Sequence, residues 1–417
     1  MRIHVPPRCT APLALACAMG PVLLPPSAAS AQMAPVLDQR RIHISLGAQG
    51  QYDSNSVRRT GDAPSAFGPH RDDFILEPRA TADIVLPFGR QAAFLQGSAG
   101  YRFHAYHDFL DRETLNATAG LRLRPIRPCT ANLATILVRQ QSDLANIFDT
   151  LDPKNTETIA TGAADLRCAA AAGLSTQLGY QRTRATNSAP VRASNEYESQ
   201  NVTGAIGVSR QTLGALSVYG AYGTTRYPNR RPLNGPQSGR EDGAKITSAG
   251  LRYERQIGTR LTGELSGGYM KVQPRLPGVP AFQGASWSAD LSYDSRNRFV
   301  ARLGASRTAQ PSNLVGESYG IATSYQASLE YAVTPRLRLR TGLSYARRRF
   351  EQSPLYQLPS FNSRDRTISV YARLTAGNVG PVAIVFDAVR EHRNAAVLVY
   401  NYGSTRLGVT ATYRFGR

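Results

Sequence analysis

The sequence is built from segments of about ten residues in which apolar and polar side chains alternate with period two. In the first, Ile42, Ile44 and Leu46 alternate with polar residues, and the last, TRLGVTATYRFGR (405–417), follows the same rule. Successive side chains of an extended strand point to opposite faces, so each segment has one apolar and one polar face. About eighteen such segments and no convincing 3.6-residue period predict an all-β chain.

The connections between the segments alternate between long and short. Residues 54–71 and 140–157 are long connections, whereas PFGRQ (87–91) and RPIRP (124–128) are brief turns. An outer-membrane barrel has short periplasmic turns and longer extracellular loops, while a soluble Greek key has no reason to keep that order. We therefore predict a transmembrane antiparallel up-and-down β-barrel of about 18 strands (16–18) over residues 41–417.

The N-terminus has the features of an export signal. Arg2 and Arg8 precede a mostly apolar stretch, and small residues lead to Ala29-Ser30-Ala31. We interpret residues 1–31 as a signal peptide and residues 32–40 as a short periplasmic segment. A signal peptide followed by a barrel predicts the outer membrane of a Gram-negative bacterium as the location.

Cleavage of the signal leaves two cysteines, Cys129 and Cys168. The predicted topology places both at the periplasmic ends of neighbouring strands. Export brings them into an oxidising compartment, so we expect a disulfide if their Cα atoms lie within roughly 7 Å. Two free thiols are the alternative.

The last segment is interpreted as the closing strand of the barrel. Its apolar face would meet lipid, and pairing with the first strand would remove the sheet edge. Gly408, Tyr413 and Phe415 resemble the C-terminal signal recognised by the barrel-insertion machinery, although Gly416 and Arg417 follow the phenylalanine.

The positive charge of the chain is almost entirely arginine. The net charge is +20, and among 49 basic residues only Lys154, Lys245 and Lys271 are lysines. Arginines on the polar faces are predicted to line the lumen: Arg79, Arg102, Arg122, Arg124, Arg139, Arg252, Arg302, Arg336, Arg338, Arg340, Arg373, Arg406 and Arg414.

A positive lumen attracts anions, and guanidinium groups bind carboxylates and phosphates. Acidic polysaccharide or small anions are therefore the predicted contents. The alternative is structural pairing of these arginines with nearby acids: Asp83, Asp165, Glu254, Glu264, Asp290 and Glu330. A separate set in the long connections is a candidate for contact with lipopolysaccharide phosphates, or is simply solvated: Arg230, Arg231, Arg348 and Arg349.

No catalytic motif is evident. HAYHDFLDRE contains the cluster His104, His107, Asp108 and Asp111, which we interpret as an ordinary exposed loop. The sequence therefore predicts no enzyme activity, no cofactor and no metal site. Nucleic acid is not an expected partner, because the charge is spread along the strands of an exported chain.

Short motifs resemble a family of outer-membrane proteins known as putative β-barrel porins. The matching residues are Tyr52, Asp53, Ser54, Asn55, Asp73, Phe74, Pro78, Arg79, Tyr101, Arg102, Phe103 and Asp111. The resemblance implies a barrel and suggests secretion of surface polysaccharide, because family members are often associated with exopolysaccharide export operons. It fixes no substrate residue.

Three functional hypotheses follow. The leading one is an outer-membrane barrel that helps an anionic exopolysaccharide reach the surface, as channel or accessory. The second is a general anion-preferring diffusion porin, and the third is a structural or adhesive barrel without an open pore. The expected partners are outer-membrane lipid and lipopolysaccharide, the barrel-insertion machinery, polysaccharide-export components, and acidic polysaccharide or small anions.

Overall fold

The computed structural model describes residues 39–60, 69–142, 154–170, 173–210, 212–230, 239–296, 298–310, 317–352, 362–377 and 381–415. The predicted signal peptide and most of the segment 32–40 lie outside these ranges. Eighteen strands form one antiparallel sheet, which confirms the predicted fold class. Within the described ranges, no helix is long and apolar enough to cross a bilayer.

The strands are β1 (Arg41–Asp53), β2 (Asp73–Phe88), β3 (Gln91–His104), β4 (Arg112–Leu123), β5 (Cys129–Gln141), β6 (Thr156–Ala169), β7 (Leu174–Asn187), β8 (Tyr197–Arg210), β9 (Gly214–Tyr227), β10 (Asp242–Ile257), β11 (Leu261–Pro274), β12 (Phe282–Asp294), β13 (Phe299–Gln310), β14 (Glu317–Thr334), β15 (Leu337–Gln352), β16 (Arg364–Ala376), β17 (Val382–Ala395) and β18 (Tyr402–Phe415). Short 3₁₀ turns lie at Asp108–Leu110, Pro190–Asn195 and Leu398–Tyr400.

The sheet closes on itself. Every strand pairs with its neighbour in sequence, and β1 also pairs with β18 from Ile44 opposite Phe415 to Asp53 opposite Arg406. Closure removes the free edge that would leave backbone groups unsatisfied in lipid. The C-terminal strand therefore has the closing role that its alternation predicts.

All short connections lie at one end of the barrel, and all long ones lie at the other. The turn after each even-numbered strand has two to five residues, whereas the connection after each odd-numbered strand has six to nineteen. In outer-membrane barrels the short turns are periplasmic and the long loops extracellular. We call these the inner and the outer end.

The outward face is apolar. Large side chains such as Leu46, Leu178 and Leu303 are about half exposed, a pattern that suits contact with hydrocarbon rather than water. Aromatic side chains form contacts near both ends, as between Tyr52 and Phe74 at the outer end and between Tyr413 and Phe415 at the inner end. These are the two aromatic girdles typical of such barrels.

The lumen is narrowed near the outer end of β14. Arg230 Nη1 donates to the carbonyl of Glu317 at 2.7 Å, and Ser318 Oγ donates to Asp242 at 3.0 Å. These bonds hold the start of β14 against the start of β10, which is not its neighbour in the sheet. An apolar cluster that includes Met270 and Tyr319 packs beneath them.

Candidate functional site

The register places most of the predicted lumen arginines on the inward face. In an antiparallel pair, residues directly opposite each other share a face. A residue opposite an exposed leucine therefore points outward, as does every second residue along the same strand. The residues between them point inward. By this criterion ten of the predicted arginines point inward: Arg79, Arg102, Arg122, Arg252, Arg302, Arg338, Arg340, Arg373, Arg406 and Arg414.

Six of these ten form ion pairs with carboxylates of the wall. Arg79 and Arg102 both bind Glu77, at 3.2 and 3.0 Å, and the Glu77 side chain is buried. Arg252 lies 3.2 Å from Glu264. The remaining pairs join Arg338 to Glu330, Arg373 to Asp387 and Arg406 to Glu391. For these six, the alternative of structural pairing describes the observed contacts.

The other four have no carboxylate within ion-pair distance among the described residues. They are Arg122, Arg302, Arg340 and Arg414. Each lies within three residues of the inner end of its strand. The unpaired arginines of the lumen wall therefore lie at the inner mouth, where they outnumber two inward carboxylates without an ion pair among the described residues, Glu254 and Asp290.

Three of the predicted lumen arginines lie elsewhere. Arg124 and Arg336 are exposed residues of the inner turns, because β4 ends at Leu123 and β15 begins only at Leu337. Arg139 lies opposite Leu115 on the outward row and forms an ion pair with Glu113. The prediction that these three line the lumen is wrong.

The structure brings Cys129 and Cys168 together at the inner end. They lie directly opposite each other in the β5–β6 ladder, with their Cα atoms 4.0 Å apart, and are joined by a disulfide. On β18, Gly408 lies on the inward row, while Tyr413 and Phe415 point outward in the inner girdle. Gly416 and Arg417 lie outside the described residues.

The Asp53-Ser54-Asn55 motif binds the end of β1 to β18 at the outer end of the barrel. Ser404 Oγ on β18 donates to Asp53 at 2.7 Å, and Thr405 N donates to Ser54 Oγ at 2.8 Å. Asn55, which is fully buried, donates to the carbonyl of Gly403. The motif that carries the family resemblance therefore has a structural role at the closure of β1 on β18.

His107 is buried in a hydrogen-bond cluster beside the β1–β18 pair, so the expectation of an exposed loop is wrong for this residue. Its Nδ1 lies 3.1 Å from Ser56 Oγ and 2.9 Å from Asp73 Oδ2, and its Nε2 donates to the carbonyl of His70. A nucleophilic triad needs the serine and the carboxylate on opposite ring nitrogens. Here both share Nδ1, which is the arrangement of a structural cluster.

Two of the loop arginines predicted to contact lipopolysaccharide form ion pairs with buried carboxylates of the protein. Arg230 is fully buried beside Asp242, and Arg348 donates to Asp365 at 2.9 Å. Arg349 remains largely exposed, whereas Arg231 lies outside the described residues. Burial therefore contradicts a surface contact for Arg230.

A second buried charge cluster lies at the outer end of β15, β16 and β17. Asp365 has no exposed side-chain surface and accepts hydrogen bonds from both Arg348 and Arg393. The Arg393 side chain is also buried, with its guanidinium 5.8 Å from the ring centroid of Tyr400. Sequence reasoning missed this cluster, and the period-two pattern signalled only that the three residues share the polar face.

The lumen contains a cavity of about 140 Å³ along strands β7 to β13, with both polar and apolar side chains in its lining. Hydroxyl and amide side chains such as Asn201, Thr203 and Ser266 line it, together with Arg252 and Tyr219. In the part of the chain that the structure describes, no group of three His, Cys, Asp or Glu residues is arranged to hold a metal ion.

The family model described as "Putative beta-barrel porin 2" matches residues 42–415. The chain belongs to this family. It is a porin-like outer-membrane β-barrel, in agreement with the closed sheet and the apolar outer face. The match spans all eighteen strands.

Three solved outer-membrane proteins are similar to this chain at low sequence identity. OccK2 (OpdF) of Pseudomonas aeruginosa, solved in complex with glucuronate, is 11% identical with a TM-score of 0.46, over 90% of this chain and 98% of that chain. OpdL of the same organism is 12% identical with a TM-score of 0.44, over 90% and 99%. The siderophore receptor PirA of Pseudomonas aeruginosa is 10% identical with a TM-score of 0.44, over 91% of this chain and 81% of that chain. No curated protein matches the chain.

Proposed function

We propose that this barrel takes part in moving an anionic exopolysaccharide across the outer membrane, as a channel or as an accessory to one. The observation that carries the proposal is the set of unpaired arginines at the inner mouth: Arg122, Arg302, Arg340 and Arg414. Guanidinium groups without a partner carboxylate present a positive field to the periplasm. A polyanion that enters from that side meets this charge first.

The walls above the mouth suit a sugar chain. The cavity between β7 and β13 offers hydroxyl and amide groups that hydrogen-bond to sugar hydroxyls, and Tyr219 supplies an aromatic surface. Nothing in this arrangement requires bond making or breaking, so the proposed role is transport without catalysis.

The deciding experiment is deletion of the gene followed by measurement of secreted acidic polymer. We expect polymer to fall in the medium and to accumulate in the periplasm, and the native gene to restore secretion. Restoration by the double variant Arg340→Ser/Arg414→Ser should be partial, because half of the unpaired charge at the mouth is lost. Unchanged secretion in the deletion strain would exclude the proposal.

The same arginines also favour a second function, an anion-preferring diffusion porin. Planar-bilayer recording of the purified protein separates the two. Steady conductance to small anions together with normal polymer secretion in the deletion strain favours the porin. Absence of conductance rejects both pore models and leaves an accessory or structural role.

A further inference from the structure

The strands β12 and β13 stop pairing part-way along their length. Their ladder of eight residue pairs ends at Trp287 opposite Arg307, although β12 reaches back to Phe282 and β13 continues to Gln310. Over these residues each strand keeps its other neighbour, β11 or β14. Among the described residues, which leave out 311–316 after β13, the barrel wall therefore has a gap between the outer ends of β12 and β13.

The position of the gap along the barrel axis follows from the length of the paired ladder below it. Eight residues at about 3.4 Å each, tilted by about 40°, rise roughly 20 Å along the barrel axis, whereas the apolar band of such barrels is about 25 Å tall. Because the ladder starts at the inner turn, the gap opens in the outer leaflet. At that depth an unpaired sheet edge is tolerated only where it lines a cavity.

The lumen cavity lies directly behind this gap. Its walls include Ser286 and Trp287 of β12 on one side of the gap and Arg307 and Thr308 of β13 on the other. A cavity that presents hydroxyl groups beside apolar side chains and the hydrocarbon of the bilayer therefore meet at this point of the wall. A ligand that fits both is an amphiphile.

Arg307 passes through the gap. Its register opposite Trp287 puts its Cα on the outward row, yet its guanidinium carbon lies 5.8 Å from the ring centroid of Phe282. Phe282 belongs to the inward row, opposite the buried Val272. The Arg307 Nε is buried and has no hydrogen-bond partner among the described residues. A buried guanidinium donor without a partner is suited to a phosphate or carboxylate.

We infer that the gap is a lateral binding site for an anionic lipid of the outer leaflet. The lipid phosphate lies against Arg307, and the polar headgroup faces the hydroxyl groups of the cavity, such as Ser286 and Thr308. The acyl chains follow an aromatic row on the outer face, where the ring centroid of Tyr325 lies 6.0 Å from that of Trp287 and 6.2 Å from that of Tyr345. The inference does not rest on the proposed polymer transport, although the headgroup faces the same cavity.

The test uses the only tryptophan in the chain, Trp287, which stands at the gap. The mature protein is placed in phosphatidylcholine vesicles that contain a fixed fraction of brominated phosphatidylglycerol or brominated phosphatidylcholine. Bromine quenches tryptophan fluorescence on contact. One basic group at a membrane surface favours an anionic lipid by about five-fold, so we expect the anionic brominated lipid to be enriched at Trp287 by that factor.

Variants identify the group responsible. Arg307→Gln should abolish the preference and Arg307→Lys should retain most of it. Arg139→Gln, which removes an outward-facing arginine on β5, should leave the preference unchanged. A variant counts only if its electrophoretic shift on heating shows a folded barrel. Equal quenching by both lipids in the native protein, or loss of the preference in Arg139→Gln, would overturn the proposal.

Inorganic phosphate separates a lipid site from a site for free anions. If phosphate at millimolar concentration displaces the brominated anionic lipid, the site recognises the phosphate alone and the lipid assignment fails. Retained quenching supports a site that holds the acyl chains as well as the headgroup.

Discussion

An arginine in this barrel acts according to what stands opposite it on the neighbouring strand. Glu77 neutralises both Arg79 and Arg102, so these side chains brace the wall. Arg414 lies opposite Ser45 and has no carboxylate beside it among the described residues, so its charge is available to a solute. The same residue type thus supports structure at one position and a field at another.

Loss of the Asp365 carboxylate should destabilise the outer end. Its side chain is fully buried between Arg348 and Arg393, and Asp365→Asn removes the carboxylate charge that both guanidinium groups contact. We expect the free energy of unfolding to fall by about 3 kcal/mol. Urea titration in detergent micelles, followed by the electrophoretic shift on heating, measures it. Asp108→Asn, in an exposed position, is the control, and equal midpoints for the two variants would contradict the expectation.

Tyr400 gives the outer end a dependence on alkaline pH. Burial, and then the carboxylate of Glu317, raises the pKa of Tyr400 to about 12. The neutral phenol therefore stabilises the fold below pH 10, and this contribution is lost as pH rises through about 10 to 12. Tyr400→Phe cannot ionise, so the native protein should lose roughly 2 to 3 kcal/mol relative to it across that window. If the free energies of unfolding of the native protein and of Tyr400→Phe change equally between pH 10 and 12, this interpretation is wrong.

At the scale of strands and hairpins, the sequence predicts the pairing well and the strand ends poorly. Alternation and loop length determine the number and order of strands, because a barrel buries its polar row and exposes its apolar one. The assignments of Arg124 and Arg336 fail since turn hydrogen bonds, such as that from Arg336 N to Thr334 Oγ1, decide where a strand stops. The assignment of Arg139 to the lumen fails because Arg139 forms an ion pair with Glu113 on the outward row, near the outer end.

The sequence pattern also does not predict the gap between β12 and β13. Both strands alternate regularly through Trp287 and Arg307, and nothing local indicates that their ladder stops there. At the same end of the barrel, hydrogen bonds between distant elements hold the start of β14 to Arg230 and Asp242. Pairing between neighbours is a local property, whereas the shape of the barrel mouth is set by the whole chain.

The β5–β6 hairpin carries a prediction that chemistry can check. Cys129 and Cys168 close a loop of sequence separation 39, for which the chain-entropy model gives about 4 kcal/mol of stabilisation. Alkylation of the unreduced mature protein should find no free thiol by mass spectrometry. Cys129→Ser/Cys168→Ser should lower the unfolding free energy by up to that amount. Two alkylated thiols in the unreduced sample would refute the bond.

At the scale of the whole molecule, charge is distributed unevenly along the barrel axis. The net charge is +20, but the outer end holds buried, compensated clusters around Asp53, Asp242 and Asp365. The unpaired arginines of the lumen wall lie at the inner mouth. A field arranged in this way acts on solutes that arrive from the periplasm, and it leaves the outer end to be held together by ion pairs and hydrogen bonds.

This asymmetry predicts the ion selectivity of an open channel. Arg340→Ser/Arg414→Ser removes two uncompensated inward charges near the inner mouth. Each charge acts on a nearby anion with about 1 kcal/mol in water, so the anion-to-cation permeability ratio should fall about five-fold or more. Arg347→Ser/Arg366→Ser is the matched control, because these arginines face each other on the outward row. Reversal potentials in a salt gradient measure the ratio. Should both double variants shift it equally, net charge rather than the position of the arginines would govern selectivity.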